Sequence, residues 1–332
     1  MREIQGRIEQ AAQTEGFSGV VSIVKEGCPL YCKAFGYRDI KNRQPNIPDT
    51  LFGIASGTKT FTAVGIGVLI DRGQLSLDSP MKTLSPKFRG FIDENATIRH
   101  LLTHTSGTYD YYDEEIEQDF DHFFVEIPWY DLETPSDYYP LFQGKSPKFK
   151  AGERYSYSNG GFVLLGMIIE ECTGQLYRDF MQENVLSPAG MKRSGFYAFN
   201  DLPENTAIGY LEDRKTTNIY NLPIRGGADG GLYVTASDMN AFWESVFSDK
   251  LLSRNLLSEY LRTDTRLNEK AGYGCGIYKR LDDSMFFLIG GDAGVGFHSR
   301  YVVEEKMVVS ILSNITEGDE NLVEILLSII DE

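Results

Sequence analysis

The stretch GIASGTKTFTAV (53–64) places a serine at the head of an apolar run and a lysine three residues later. A short strand-like run, LFGIA (51–55), precedes it, and Gly73 closes the apolar pattern, so a helix is expected from about Gly57 to Arg72. Residues i and i+3 share a helix face, which brings the Lys59 ammonium within reach of the Ser56 hydroxyl. A lysine partly buried beside a helix N-terminus is pushed towards neutrality. A neutral lysine can take a serine proton. Read alone, the plainer account is a helix-capping serine and a solvated lysine. The spacing does not discriminate, since Ser79-Pro-Met-Lys82 repeats it in a loop-like stretch.

A second element sharpens the reading. AGERYSYSNGG (151–161) contains Tyr157-Ser158-Asn159, the only Y-x-N in the chain, just before an apolar helical pattern. A tyrosine near a lysine acts as a phenolate or a proton shuttle. An amide such as Asn159 grips a substrate carbonyl and holds the lysine. Taken alone, the pair reads as a capping asparagine beside a packed tyrosine.

Working outward, residues 2–13 carry a helical apolar spacing. FSGVVSIV (17–24) and LYCKAFGY (30–37) flank a turn at Glu26–Gly27 and read as a hairpin. NGGFVLLGMIIEECTG (159–174) is a helix with a glycine stop, and TASDMNAFWESVF (235–247) is another, capped from Thr235 or Ser237. The last sixty residues turn β-rich, in GYGCGIYKR, SMFFLIGG, FHSRYVV and KMVVSILSN, before a closing helix over about 318–331. The expected fold is α/β (α+β): one antiparallel sheet built from both termini and flanked by helices, with a mostly helical insertion. Residues 1–60 and 270–332 form the sheet domain, 61–269 the insertion, and the active site lies between them.

Together these segments resemble the serine β-lactamase and penicillin-binding-protein superfamily, closest to its class C β-lactamase and esterase branch. LLTHTSG (101–107), LDSPM (77–81, where such proteins end the first helix), GGLYVTASDMNAF (230–242) and GVGF (294–297) agree with that branch in the same order. The resemblance implies acyl transfer by a serine hydrolase on an ester, amide or peptide. Ser56 is the nucleophile, Lys59 its base, and Tyr157 the relay to the leaving group and the helper of the deacylating water. Asn159 orients the substrate, and the backbone N–H groups of Ser56 and Ala293 form the oxyanion hole. Each such donor typically contributes about 3–4 kcal/mol to the transition state.

The chain departs from the family at its third motif. Counting back from GVGF places Gly290-Gly291-Asp292 where relatives carry Lys-Thr-Gly or His-x-Gly. The cation is missing, and Asp292 adds a negative charge beside a pocket that Gly291 and Asp292 are expected to line. Lys279 and Arg280 lie nearby on the preceding strand and are candidates to compensate. Anionic substrates such as penicillins or D-Ala-D-Ala tails are therefore expected to bind poorly, and an uncharged ester or amide, or a substrate with a free amine, to fit better. Two other readings compete: a binding or sensor protein that acylates slowly or not at all, and a true β-lactamase or D-Ala-D-Ala carboxypeptidase.

Composition narrows the partners. The 332 residues are 42% hydrophobic and 24% charged, ordinary for a globular enzyme. A net charge of −16 disfavours nucleic acid and anionic membranes. No run is long enough to span a bilayer, and MREIQGRIEQ lacks the apolar stretch of a secretory signal, so a cytoplasmic location is expected. Cys28, Cys32, Cys172 and Cys275 match no redox or metal pattern. His100 and His104 are four apart but lack a third ligand, so His104 reads as a structural residue behind the serine loop. The motifs call for no cofactor and no metal. The partner is a small-molecule or peptide substrate, and the oligomeric state is open. The acidic, aromatic segment 108–142 lies between two catalytic motifs and reads either as a wall over the site or as a solvated excursion.

Overall fold

The computed structural model describes residues 2–318 and 320–330. Its main helices are α1 (Arg2–Glu15), α2 (Thr58–Asp71), α3 (Asn159–Thr173), α4 (Ala236–Val246), α5 (Arg254–Leu261) and α6 (Glu320–Ile330). Residue 331, to which the expected closing helix extended, lies outside the described residues. One eight-stranded antiparallel sheet contains β1 (Gly19–Lys25), β2 (Cys28–Phe35), β3 (Thr265–Arg266), β4 (Ala271–Tyr273), β5 (Tyr278–Arg280), β6 (Met285–Asp292), β7 (Val295–Val302) and β8 (Met307–Ser313). Their order is β2-β1-β8-β7-β6-β5-β4-β3.

The sheet is built from both ends of the chain, as expected. β1 pairs with β8 from Gly19↔Ser313 to Lys25↔Met307. The β1–β2 hairpin turns on Glu26 (φ 50°) and Gly27 (φ 75°), two left-handed residues of the kind that matches strand twist. One sheet face is covered by α1 and α6, through Ile8, Ala12, Val21, Ile311, Leu322 and Leu326. The other face receives α4, whose Trp243 Nε1–H donates to Ser299 Oγ at 2.8 Å. That indole also stacks on Tyr301 at 5.8 Å. So α4, although it falls within 61–269, packs directly on the sheet. β1 is buried along nearly its whole length because both faces are covered.

α2 is buried from Thr58 to Leu69. Its polar threonines are therefore satisfied by neighbours. Thr62 Oγ1 donates to Ala228 O (2.6 Å), Thr60 Oγ1 to Gly276 O (2.7 Å), and Thr58 Oγ1 accepts from the Leu232 N–H (3.0 Å). α2 ends at Asp71 and Gly73 adopts φ 71° beyond it, so LDSPM lies in the following connection and does not end the helix. α3 starts on Ser158, whose Oγ accepts the Gly161 N–H, and stops at left-handed Gly174. The segment 108–142 holds only short helical turns, Phe120–His122, Trp129–Asp131, Pro135–Tyr138 and Tyr139–Phe142. The four cysteines are free thiols. No helix among the described residues is long and apolar enough to cross a membrane.

Candidate active site

Ser56 sits in a 3₁₀ turn, Ala55–Gly57, that leads into α2. No side chain caps either helical start, so the capping role read from sequence is not realised. The physical reason is that Ser56 Oγ lies 2.9 Å from Lys59 Nζ instead. Ala55 just ahead of it adopts φ 43°, a left-handed conformation that is uncommon outside glycine and marks a tight bend at the serine. The other S-x-x-K match makes no such pair: Ser79 Oγ accepts the Ser76 N–H, and Lys82 reaches Asn95.

Lys59 is 2% exposed. Its Nζ donates to Asn159 Oδ1 at 2.7 Å and to the Asp229 carbonyl at 2.6 Å. A neutral amine has two hydrogens and one lone pair. Nζ also bonds to Ser56 Oγ at 2.9 Å, so an amine that keeps Asn159 and Asp229 as acceptors would turn its lone pair to the serine. Burial pulls the Lys59 pKa below its ordinary value, against the opposing charges of Asp229, Glu114, Asp110 and Asp292.

Tyr157 lies over the same lysine, with Nζ 5.0 Å from the ring centroid, and the Ser56 side chain favours its ionised form. Burial raises its pKa well above the usual phenol value, with Glu114 adding to the effect. The resting pair is thus a depressed lysine and a protonated phenol. His104 holds the tyrosine from behind: the rings are 4.5 Å apart, and its Nδ1 accepts the Ser158 N–H at 3.0 Å. That bond leaves Nε2 as the protonated nitrogen, facing Tyr273 Oη at 3.1 Å. Burial and the nearby Lys59 charge keep the imidazole neutral, its pKa well below normal. His100 is used locally instead, its Nδ1 accepting the Thr97 N–H at the start of a short helix.

Asn159 is brought to Lys59, but its amide hydrogens are already engaged. Nδ2 donates to Tyr112 O (2.9 Å) and Glu114 Oε1 (3.0 Å). In this geometry Asn159 holds Lys59, one of the two roles read for it from sequence, and its amide hydrogens are engaged within the protein. The reason is the segment 108–142, which folds over the site as a wall. Asp110 from the same segment accepts the Asn159 and Gly160 N–H groups, both at 2.8 Å, at the N-terminus of α3. Burial lifts its carboxyl to about 7 despite those donors. Tyr111 donates to Asp229 Oδ2 at 2.6 Å.

β6 runs against the serine turn. A Cβ on Gly290 would stand 2.0 Å from Ile54 O, so the backbones meet at the position the third-motif comparison assigns to the missing cation. Lys279 does not substitute for it: its Nζ donates to Leu261 O at 2.6 Å and pairs with Asp283. Gly291 is partly exposed, with Phe120 the nearest group to a Cβ there, at 3.9 Å. Asp292 lines a cavity beside the serine turn, and its Oδ1 accepts the Ala293 N–H at 2.9 Å. Burial moves the Asp292 carboxyl up to about 7, with Glu114 and Asp229 pushing further and Lys59 opposing.

Asp229, Asp110, Glu114 and Asn218 were not singled out from sequence. GGADGG (226–231) reads as a turn, yet it supplies the carbonyl that holds Lys59. The signal was its place directly ahead of GGLYVTASD.

The Beta-lactamase family model matches residues 4–329. Penicillin-binding protein 4* of Bacillus subtilis is 30% identical over 96% of this chain and 73% of its own length. The D-aminopeptidase of Brucella anthropi is 30% identical over 85% of this chain, which spans only 48% of that protein. The crystal structure of a penicillin-binding protein from Bacillus halodurans is 36% identical, with a TM-score of 0.91 over 97% of this chain and 99% of that one.

Proposed function

The chain belongs to the Beta-lactamase family, a family of serine-hydrolase-like proteins, and from that premise we propose that it hydrolyses ester, amide or peptide bonds through an acyl-enzyme on Ser56. The observation that carries the reading is the 2.9 Å bond between Lys59 Nζ and Ser56 Oγ, made by a buried lysine that also donates to Asn159 Oδ1 and Asp229 O, so that loss of one proton leaves its lone pair to the serine. Ser56 Oγ attacks the carbonyl carbon as Lys59 takes the hydroxyl proton. Tyr157 passes a proton to the leaving nitrogen or oxygen as its bond to carbon breaks. Water, activated by the same pair, then attacks the ester and restores Ser56. The developing oxyanion is received by the N–H groups of Ser56 and Ala293, the latter exchanging Asp292 for the substrate oxygen.

The substrate carries no carboxylate beside the scissile bond. No Lys or Arg lines the cavity among the described residues, while Asp229 and Asp292 do. This sets the reading apart from a β-lactamase or a D-Ala-D-Ala carboxypeptidase. The relative named as a D-aminopeptidase adds peptide bonds next to a free amine to the candidates. The test is a side-by-side incubation of the protein and Ser56→Ala with a fluorophosphonate probe, a short p-nitrophenyl ester and a chromogenic cephalosporin. Ester turnover and labelling, both lost in the mutant, are expected. Cephalosporin turnover far above ester turnover would overturn the substrate class, and absence of labelling would leave a binding protein.

A further inference from the structure

Glu114 Oε1 accepts Asn159 Nδ2 at 3.0 Å, and Asn159 Oδ1 accepts Lys59 Nζ at 2.7 Å. The wall therefore decides which end of the amide meets the lysine. A half-turn of Asn159 would set Nδ2 against Nζ, and Oδ1 against Glu114 Oε1 and the Tyr112 carbonyl, so donor would face donor and acceptor would face acceptor. Glu114 is itself held twice. Locally, the Ile116 and Glu117 N–H groups donate to Asp113 O, both at 2.9 Å, and the Glu115 N–H donates to Asp113 Oδ1 at 3.2 Å, which closes a turn around it. At long range, its two neighbours are clamped to the stretch ahead of α3. Lys148 Nζ pairs with Asp113 Oδ2 at 2.6 Å and Glu115 Oε2 at 3.3 Å. Arg154 takes both Glu115 oxygens, at 2.6 and 3.0 Å. Lys148 also donates to Ser156 Oγ at 3.0 Å, one residue before Tyr157. The Lys148 and Asp113 side chains are only 18% and 14% exposed, so their pair is shielded from solvent, whereas Arg154 and Glu115 lie at the surface and are screened more readily.

We propose that Glu114 is a positioning residue for the Ser56–Lys59 pair, acting through Asn159, and that Asp113, Glu115, Lys148 and Arg154 form the latch that keeps it on the amide. The inference deepens the hydrolase reading and rests on it for the role of Lys59 as base. Glu114 acts by orientation, as above, and by field: its charge favours the ammonium form of Lys59 and the protonated form of Tyr157. Lys59 is faced as well by Asp110 from the wall, Asp229 from the 226–231 turn and Asp292 from β6, with His104 and Tyr157 behind it. Loss of the Glu114 charge makes both Lys59 and Tyr157 easier to deprotonate, so the reactivity of Ser56 moves the same way with pH whichever of them limits it.

Glu114→Gln keeps an oxygen for Asn159 Nδ2 and removes the charge. The midpoint of the pH profile for fluorophosphonate labelling of Ser56 is expected to fall by about half a unit or more, with the high-pH plateau nearly unchanged. Glu114→Ala also removes the acceptor and should lower that plateau about 10-fold, and in ester hydrolysis it should act on kcat more than on KM. The latch has its own readout. Lys148→Met should speed amide hydrogen exchange over residues 110–117 about 10-fold and lower the labelling plateau, and Lys148→Arg should restore much of both. Circular dichroism establishes that each variant is folded, and Arg154→Leu, which cuts only the exposed arm, should give a smaller change of the same sign. A midpoint that stays or rises in Glu114→Gln, or an effect of Glu114→Ala confined to KM, would overturn the positioning role. Exchange as slow as wild type in both Lys148→Met and Arg154→Leu would overturn the latch. If the wild-type protein is neither labelled nor turns over any ester, the hydrolase reading fails and takes the positioning role with it, and hydrogen exchange alone decides the latch. If Ser56 is labelled but the Glu114→Gln midpoint does not fall, the positioning proposal alone fails.

Discussion

The Ala293 N–H donates to Asp292 Oδ1 at 2.9 Å, so the backbone donor expected to receive an oxyanion is held at rest by the side chain next to it. On the proposed mechanism, substrate oxygen must displace that carboxylate. Asp292→Ala is expected to free the donor and to speed fluorophosphonate labelling of Ser56 several-fold at pH 8, where the native carboxylate is charged. A mutant slower than wild type would show that Asp292 aids the approach of the probe.

Lys59 acts as a base only when neutral, and burial depresses its pKa. The rate of Ser56 labelling should therefore rise with pH and level off below the ordinary lysine value of about 10.4. Asn159→Asp places a carboxylate against the same nitrogen, which favours the ammonium. The midpoint of the pH profile should move upward by about one unit, slowing labelling about 10-fold below the midpoint. An unmoved midpoint would remove Lys59 as the base.

The Asp292 carboxyl titrates at about 7 in the folded protein, above its ordinary value of 3.8. A group raised on folding contributes its stability below the unfolded pKa and loses it as pH rises through the folded one. Asp292→Asn should thus change the melting temperature little near pH 4 and raise it increasingly between pH 4 and 7. The side chain is only partly buried, so the gain is expected to be about 1–2 kcal/mol, or a few degrees. Scanning calorimetry of both proteins across that range checks the sign. A gain confined to acid pH would contradict it.

Gly290 is the point where β6 meets the serine turn, and a Cβ there would stand 2.0 Å from Ile54 O. Gly290→Lys, which writes the family cation back into the sequence, should force the two backbones apart. A loss of about 3 kcal/mol or more is expected, with no gain in penicillin turnover. Melting temperature, soluble yield and penicillin hydrolysis measure it together. A stable variant that hydrolyses penicillin would show that the strand yields easily.

His104 supports Tyr157 through its ring and Ser158 through Nδ1. His104→Ala should lower kcat for ester hydrolysis about 10-fold or more with a smaller change in KM, because it loosens the proton relay without touching the cavity. An effect confined to KM would place His104 at the substrate instead.

Much of the scaffold was legible in the sequence because it is written in local patterns. The strand alternation at both ends, the glycine stops at Gly73 and Gly174, and the left-handed pair Glu26–Gly27 depend on near neighbours alone. The approach of Lys59 to Ser56 was legible for the same reason, since three residues along a helical turn fix it. Its chemical state was not. That depends on Asn159 and Asp229, which lie 100 and 170 residues away and meet Lys59 only when α2 is buried between them. The hold of Asn159 on Lys59 was read from sequence, but the engagement of its amide hydrogens was hidden, because it follows from the folding of 108–142 over the site, where Glu114 and the Tyr112 carbonyl claim them. The missing cation was visible as a gap in a motif, but its cause was not: Gly290 is required by a backbone contact with Ile54. The sequence by itself determined the nucleophile's surroundings along the chain. Tertiary structure decided which partners hold the proton and which charges face the substrate, because hydrogen bonds and burial arise between segments that no local pattern connects.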